Sequence, residues 1–550
     1  MVILTVLAGT ILPSIAFLPA TSPSSASSAG EVHSDFNGDG FDDMAVGVPF
    51  EDIGSMTDVG AVNVIYGSSA GLSAVPAGDT GRSDQFWTQN STGVEDVAEG
   101  NEYFGSAIAS GDFNADGFSD LATGVYGEKI GTQFGAGAVN LIYGSSIGLR
   151  ASPAPDGSGR ADQFWSQDSP GVDNQAGSFD RFGSSLAVGD FNGDGKDDLA
   201  IGALGDDAGD TGVAGAVNVL YGSSSGLQTS SPADQFWTQD TPGVEETAEG
   251  FDFFGWSLAA GDFNSDGKDD LAIGVRGENG LGGNTSPGAG AVNVLYGSSS
   301  GLQTSSPADQ LWDQDSAGVD DAAAVGDGFG SSLAVGDFNN DGREDLAVGA
   351  PGEEIGGGVN LLYGSLSGLQ TSSPADQFWS QDSPGVEDVS EDFDQFGNSL
   401  ASGDFNYDGF MDLAIGAPHE DGAVTEMGVV HVLYGTSSGL SAVIMPDQRW
   451  TQNSPGVNDA VEAGDLFGST LAVGDYDGDG NNDLAVGSPM ERIGNLHDAG
   501  AVNVLYGSSN GLQTVAPADQ FWHQNRPDVN DRAEGGDRLG TFAATPALLS

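Results

Sequence analysis

One nine-residue string, Asp-x-(Asn/Asp)-x-Asp-Gly-x-x-Asp, occurs seven times along the chain, starting at Asp35, Asp112, Asp190, Asp262, Asp337, Asp404 and Asp475. The spacings are 77, 78, 72, 75, 67 and 71 residues. Self-similarity at such a period dictates a repeat architecture in which each copy is one supersecondary unit. Every copy runs into a short apolar segment such as DLAIGA, then an AVNVLYG-like segment, then DQFW-x-Q. A polar GVED-like loop follows, and a Phe-Gly-x-x-Leu-Ala segment leads into the next string. β-Branched and aromatic content, partial alternation and flanking Gly/Ser clusters predict four short strands per copy. No stretch carries 3.6-residue periodicity long enough for a substantial helix.

Four antiparallel strands repeated seven times predict an all-β fold, a seven-bladed β-propeller of four-stranded blades. An open solenoid needs capping units at both ends. Here the first unit begins at Asp35 with no Phe-Gly segment before it. The chain ends with Arg538-Leu539-Gly540-Thr541-Phe542-Ala543-Ala544, which reads as that missing segment and has no string after it. The C-terminal strand is therefore expected to complete the first blade and close the ring, hiding an open sheet edge.

The strings carry the clearest chemistry. Their first positions are the seven Asp residues named above. The third positions are Asn37, Asn114, Asn192, Asn264, Asn339, Asn406 and Asp477, and the fifth are Asp39, Asp116, Asp194, Asp266, Asp341, Asp408 and Asp479. The seventh, through a backbone carbonyl, are Phe41, Phe118, Lys196, Lys268, Arg343, Phe410 and Asn481. The ninth are Asp43, Asp120, Asp198, Asp270, Asp345, Asp412 and Asp483. Hard oxygen donors around a sharp Gly turn suit Ca²⁺ better than Mg²⁺, which demands strict octahedral geometry and keeps its waters. About seven Ca²⁺, one per blade, are expected. The spacing resembles an EF-hand loop up to position nine, but an apolar strand follows where an EF-hand has Glu at twelve and a helix. Asp, Asn and Gly are also common turn residues, yet turn preference alone does not keep positions 1, 5, 6 and 9 identical in seven copies.

Composition narrows the function classes. Acidic residues number 81 against 14 basic ones, a formal charge of −67; such a surface repels phosphate backbones and excludes nucleic acid as a partner. The remaining acids read as a solvated surface, with salt adaptation as the alternative. Cysteine is absent and the five His are scattered, which removes disulfides, thiol nucleophiles and Cys-based zinc sites. Residues 2–20 are apolar and interrupted by Pro13. A Ser/Ala-rich stretch with small-residue cleavage positions at Ser24-Ser25-Ala26 and Ser27-Ser28-Ala29 follows. Residues 1–29 are expected to be a signal peptide, although no Lys or Arg precedes Arg82, so a misassigned start or a retained anchor stays open. The mature chain, 30–550, has no further apolar stretch of membrane length.

Phe-Gly ahead of the string, the Asp-x-Asn-x-Asp-Gly-x-x-Asp-Leu string itself, and Gly-Ala-Pro after it (Gly349-Ala350-Pro351, Gly416-Ala417-Pro418) resemble FG-GAP repeats. These build the propeller of the integrin α-subunit head, and the resemblance covers about residues 31–544. It implies calcium loops on one face of the propeller and partner binding on the opposite face. The chain departs from the integrin pattern in three ways. All seven units carry a complete loop, the units are longer, and there is no Cys and no companion domain. The similarity of the copies suggests a free-standing, secreted relative, bacterial in origin.

Two features invite other readings. Gly222-Ser223-Ser224-Ser225-Gly226 matches a nucleophile-elbow pattern, but most units have a version of it after a Tyr-Gly strand end, where a Ser/Gly turn is expected. The Trp of each DQFW-like segment reads as packing between blades, with a ring of sugar-stacking aromatics as the alternative. No unit has a polar constellation that marks one catalytic centre, so the expectation is a monomeric, non-catalytic binding or adhesion scaffold at the cell surface or secreted. Its partner is an extracellular protein or glycan. The alternative is a hydrolase or lyase acting on glycan or lipid, like the phospholipases that carry FG-GAP repeats. Loops 127–137, 278–290 and 421–428 differ most between units and are expected to present the variable surface.

Overall fold

The computed structural model describes residues 34–540 except 75–83, 154–159, 208–211, 281–285, 354 and 528. The expected signal peptide, 1–29, lies outside the described residues, as do part of the 278–290 loop and the chain beyond Gly540. The described residues form seven antiparallel sheets and no helix. None is long and apolar enough as a helix to cross a membrane.

The third blade shows the plan. Its inner strand, Phe182–Gly189, pairs with Asp198–Ala203, then Ala216–Leu220, then the outer strand Gln235–Trp237. The second and third strands are buried at every position. Both faces of a blade pack against neighbouring blades, so these strands read as continuous apolar runs where a half-exposed strand alternates. Each core cluster accordingly joins two blades: Val217, Tyr221 and Trp237 of the third pack with Phe254, Leu271 and Val275 of the fourth. The inner strands surround a cavity of about 830 Å³ on the ring axis, lined by small residues such as Ala109, Ala187, Ala334 and Ala472.

The Phe-Gly segment does not behave as one continuous strand in most blades. In all six blades whose inner strand is described, that strand starts after Phe-Gly or continues from it only across a register shift; in the third and fourth blades Phe182 and Phe254 are included, with the shift just behind them. The reason is a joint between blades. Phe104 forms a parallel bridge with Gly60 of the preceding blade. A Cβ on Gly60 would lie 2.3 Å from the Phe104 carbonyl oxygen, and one on Gly105 would lie 2.5 Å from that of Ala61. Backbones approach there as closely as glycine allows.

The first sheet has three described strands, Met44–Val48, Ala61–Ile65 and Gln85–Trp87. The residues expected to supply its inner strand follow Gly540, outside the described part. The approach to it is described: Leu539 bridges Gly500 as Phe104 bridges Gly60, and it packs with Met44, Val46 and Val48 of the first blade. The seventh and first blades are joined directly as well. Leu72 N–H donates to the Tyr506 hydroxyl at 3.2 Å, and Gln520 donates to the Leu72 carbonyl at 3.0 Å.

Candidate metal centre

Each string immediately precedes the second strand of its blade, and in the six blades whose inner strand is described it follows that strand, so the strings lie at the same end of their blades. In the third blade the Asp190 carboxylate accepts the backbone N–H of Asp194 (3.0 Å) and of Gly195 (2.7 Å). The same pair of bonds closes the other six loops. The sixth-position glycine is required by conformation alone: Gly195 has φ +80°, and nothing lies within 4 Å of where its Cβ would be.

The ninth-position Asp is the buried member. Asp198 is fully inaccessible and accepts the Gly222 N–H at 2.8 Å and the Asn192 amide at 3.0 Å. Burial, and then the charges of Asp190 and Asp194, push its carboxyl up to about 8. Asp270 and Asp345 are raised to about 9 and about 8 with burial the leading cause and like charges from positions 1 and 5 contributing. Burial likewise leads for Asp43, Asp120, Asp412 and Asp483, which are held well above the usual carboxylate range.

Such a donor set fits a divalent cation. A buried carboxylate facing two others is unfavourable when ionised unless positive charge meets it. The loops differ in how far they gather their acids. In the seventh, where Asp477 replaces Asn, the oxygens of Asp475, Asp477 and Asp483 lie within 4.8 Å of one another. Among the described residues no other loop brings three carboxylates that close, because its third position is an amide. Asn406 shows what that amide offers: its Oδ1 is buried without a hydrogen-bond partner. At position seven three loops carry a cationic side chain. Lys196, Lys268 and Arg343 pair with the fifth-position Asp194, Asp266 and Asp341 at 2.9–3.3 Å. The Phe118 ring lies against Gly38 of the preceding loop.

Two sets of residues in this region escape sequence reading. The Gly after each Tyr donates to the ninth-position Asp, as Gly222 does. The eighth position reaches backward across the seam: Asp197 accepts the Asp112 N–H at 2.6 Å, Asp269 that of Asp190 at 2.7 Å, and Glu344 that of Asp262 at 2.7 Å. Asn482 and Asp42 do the same for Asp404 and Asp475, while the backbone N–H groups of Ser119 and Met411 donate to the Asp35 and Asp337 carbonyls. A belt of hydrogen bonds thus links successive loops around the axis. The elbow-like segment is a turn, in which Gly226 N–H donates to the Ser223 carbonyl and Ser223 Oγ to that of Gly226.

Comparison with known proteins finds FG-GAP repeats at residues 31–65, 104–139, 182–220, 254–295, 329–360, 396–433 and 467–505. The chain is 28% identical over 474 residues to a phosphatidylinositol-glycan-specific phospholipase D of Bos taurus, covering 80% of this chain and 51% of that protein. It is 32% identical over 266 residues to integrin alpha pat-2 of Caenorhabditis briggsae, 45% of this chain and 19% of that one. To integrin alpha-3 of Cricetulus griseus it is 36% identical over 193 residues, 33% and 16% of the two chains. The chain therefore spans about half the length of the bovine relative and less of the integrins. These relatives are animal proteins, and the bacterial origin expected from the sequence is not supported.

Proposed function

Because the chain is an FG-GAP repeat protein with an integrin-like seven-bladed β-propeller, we propose that it is a secreted, monomeric, calcium-binding scaffold that engages an extracellular protein or glycan without catalysing a reaction. This reading takes residues 1–29 as signal and 30–550 as the propeller. The observation that carries it is the sevenfold loop with a buried ninth-position Asp facing like charges. Residues at positions 1, 3, 5 and 9, with the carbonyl at 7, would hold Ca²⁺. The ion would supply positive charge that holds loop and blade together. An ion that binds only the folded chain stabilises it by mass action.

The test is a thermal melt in excess EDTA and in millimolar calcium, with bound metal counted on the same protein. A large rise in Tm with about seven or more ions supports the reading. No rise, or one or two ions, overturns the structural role of the loops. A second reading, an extracellular hydrolase or lyase on glycan or lipid with the propeller as catalytic or substrate-binding scaffold, is favoured by the similarity to the bovine phospholipase over 80% of this chain. Turnover of a glycan or lipid panel by the folded, calcium-saturated chain would establish it.

A further inference from the structure

The face opposite the loops carries a second set of buried acids. Glu491 follows the second strand of the seventh blade (Asp483–Ser488), at the end away from its string. Across the seam, the segment leaving the outer strand of the sixth blade (Gln448–Trp450) brings Gln452, Asp459, Glu462 and Asp465 to it. Carboxylate oxygens of Glu462, Asp465 and Glu491 all lie within 4.8 Å of one another. Glu491 and Asp465 are only 1% and 2% exposed. The positive group recorded here is Arg492, which pairs with Glu462 at the surface, 3.3 Å from its oxygen.

Gln452 supplies an independent observation. It is 1% exposed, and its Nε2 donates to Glu491 Oε2 at 2.7 Å. Its Oε1, on the same amide carbon as the nitrogen that meets Glu491, is buried with no hydrogen-bond partner. Turning the amide over would only set its oxygen against that of Glu491. The same Gln-to-acid bond, 2.7–2.8 Å, returns at all seven seams, and each of those glutamines has an unpartnered Oε1.

The neighbouring seam shows the charge such a place accepts. Arg449 stands where five other blades have Phe and one has Leu. It reaches Asp388 at 2.5 Å and Glu420 at 3.6 Å, the counterparts of Asp459 and Glu491. A guanidinium is thus accommodated between the acids of that seam.

We propose that the seam between the sixth and seventh blades is a second metal site, separate from the nonapeptide loops, in which Glu491, Asp465, Glu462 and the Gln452 Oε1 bind a divalent cation of calcium type. All four donors are hard oxygens, which Ca²⁺ prefers. A shared proton is the competing arrangement, and substitution separates the two. Glu491→Gln keeps the shape of a protonated acid but removes a charged ligand.

The experiment is metal counting after equilibrium dialysis of the full chain against calcium, for the natural protein, Glu491→Gln, Asp479→Ala in the loop of the same blade, and Phe521→Arg. The last copies the Arg449 arrangement into this seam, so it tests the site even if Glu491→Gln does not fold. The natural chain is expected to bind more than seven ions, and Glu491→Gln and Phe521→Arg each about one fewer than it. Asp479→Ala is expected to lose a different one, so that combining it with Glu491→Gln removes about two. Unchanged binding by folded Glu491→Gln or Phe521→Arg overturns the seam site. A loss with Glu491→Gln but none with Asp479→Ala leaves the seam site standing and counts against the loop reading.

Discussion

Asp198 has two roles that substitution can separate. Its oxygens accept the Gly222 N–H and the Asn192 amide, and its charge opposes those of Asp190 and Asp194. Asp198→Asn preserves most of the shape and removes the charge. With calcium, the variant is expected to melt below the natural chain and to bind about one ion fewer. In EDTA at pH 8 the like-charge penalty is relieved, and the variant is expected to match or exceed it. Paired melts check this, and a drop of equal size in both conditions would refute the charge argument. Residues of this kind are legible in the sequence because their charged neighbours lie within nine positions and recur, although the Gly222 N–H, 24 residues away, is not. The eighth-position latch is not, because Asp197 bonds to Asp112, 85 residues away, and its identity varies among Asp, Glu, Asn, Ser and Met.

Among the elements, the Phe-Gly joint is where packing between blades is decided. The four-strand period is visible in the sequence because apolar runs and Gly/Ser turns punctuate it. The function of Phe-Gly as a joint is invisible, since it depends on a backbone contact with the preceding copy. Gly105 has φ +86° and a Cβ there would meet the Ala61 carbonyl oxygen, whereas Gly54, φ +71°, has nothing within 4 Å. Both Gly→Ala variants incur the cost of a left-handed conformation, about 1–3 kcal/mol. Gly105→Ala is expected to lose more than Gly54→Ala by the clash, read as a lower urea midpoint. Equal midpoints would mean that the two backbones can separate without loss.

Over the whole molecule, the acids on the face opposite the loops act together. Without metal, Glu51 is raised to about 9 by burial and then by Asp531 and Asp537. Glu128 is raised to about 8 by burial, Glu102 and Asp96, and Glu420 to about 8 by burial, Asp388 and Asp394. An unfolded Glu titrates near 4.3, so between that pH and about 8 the folded chain holds protons the unfolded chain has released. Stability then falls as pH rises. In EDTA the urea midpoint is expected to be higher at pH 5.5 than at pH 8.5, with calcium reducing the difference; a midpoint that rises with pH would contradict the burial of these groups. The ring and its blade number are legible from seven strings and a displaced last segment. This second acidic face is not, because its Gln and Glu are 39 residues apart and belong to different blades.

The way the ring closes also sets how it bears load. Ser34, the first described residue, is held in the first blade by its backbone bonds with Phe36 and Asp43. Leu539 and Gly540 are held to the seventh by the Ala499 carbonyl and the Thr470 hydroxyl. Tension drawn between these two points therefore crosses one seam, where Gln524 meets Glu51 and Leu72 meets Tyr506 and Gln520. The other six seams lie outside that path, so a molecule pulled between Ser34 and Gly540 is expected to open first at the seam between the seventh and first blades, like a clasp, while the remaining blades stay stacked.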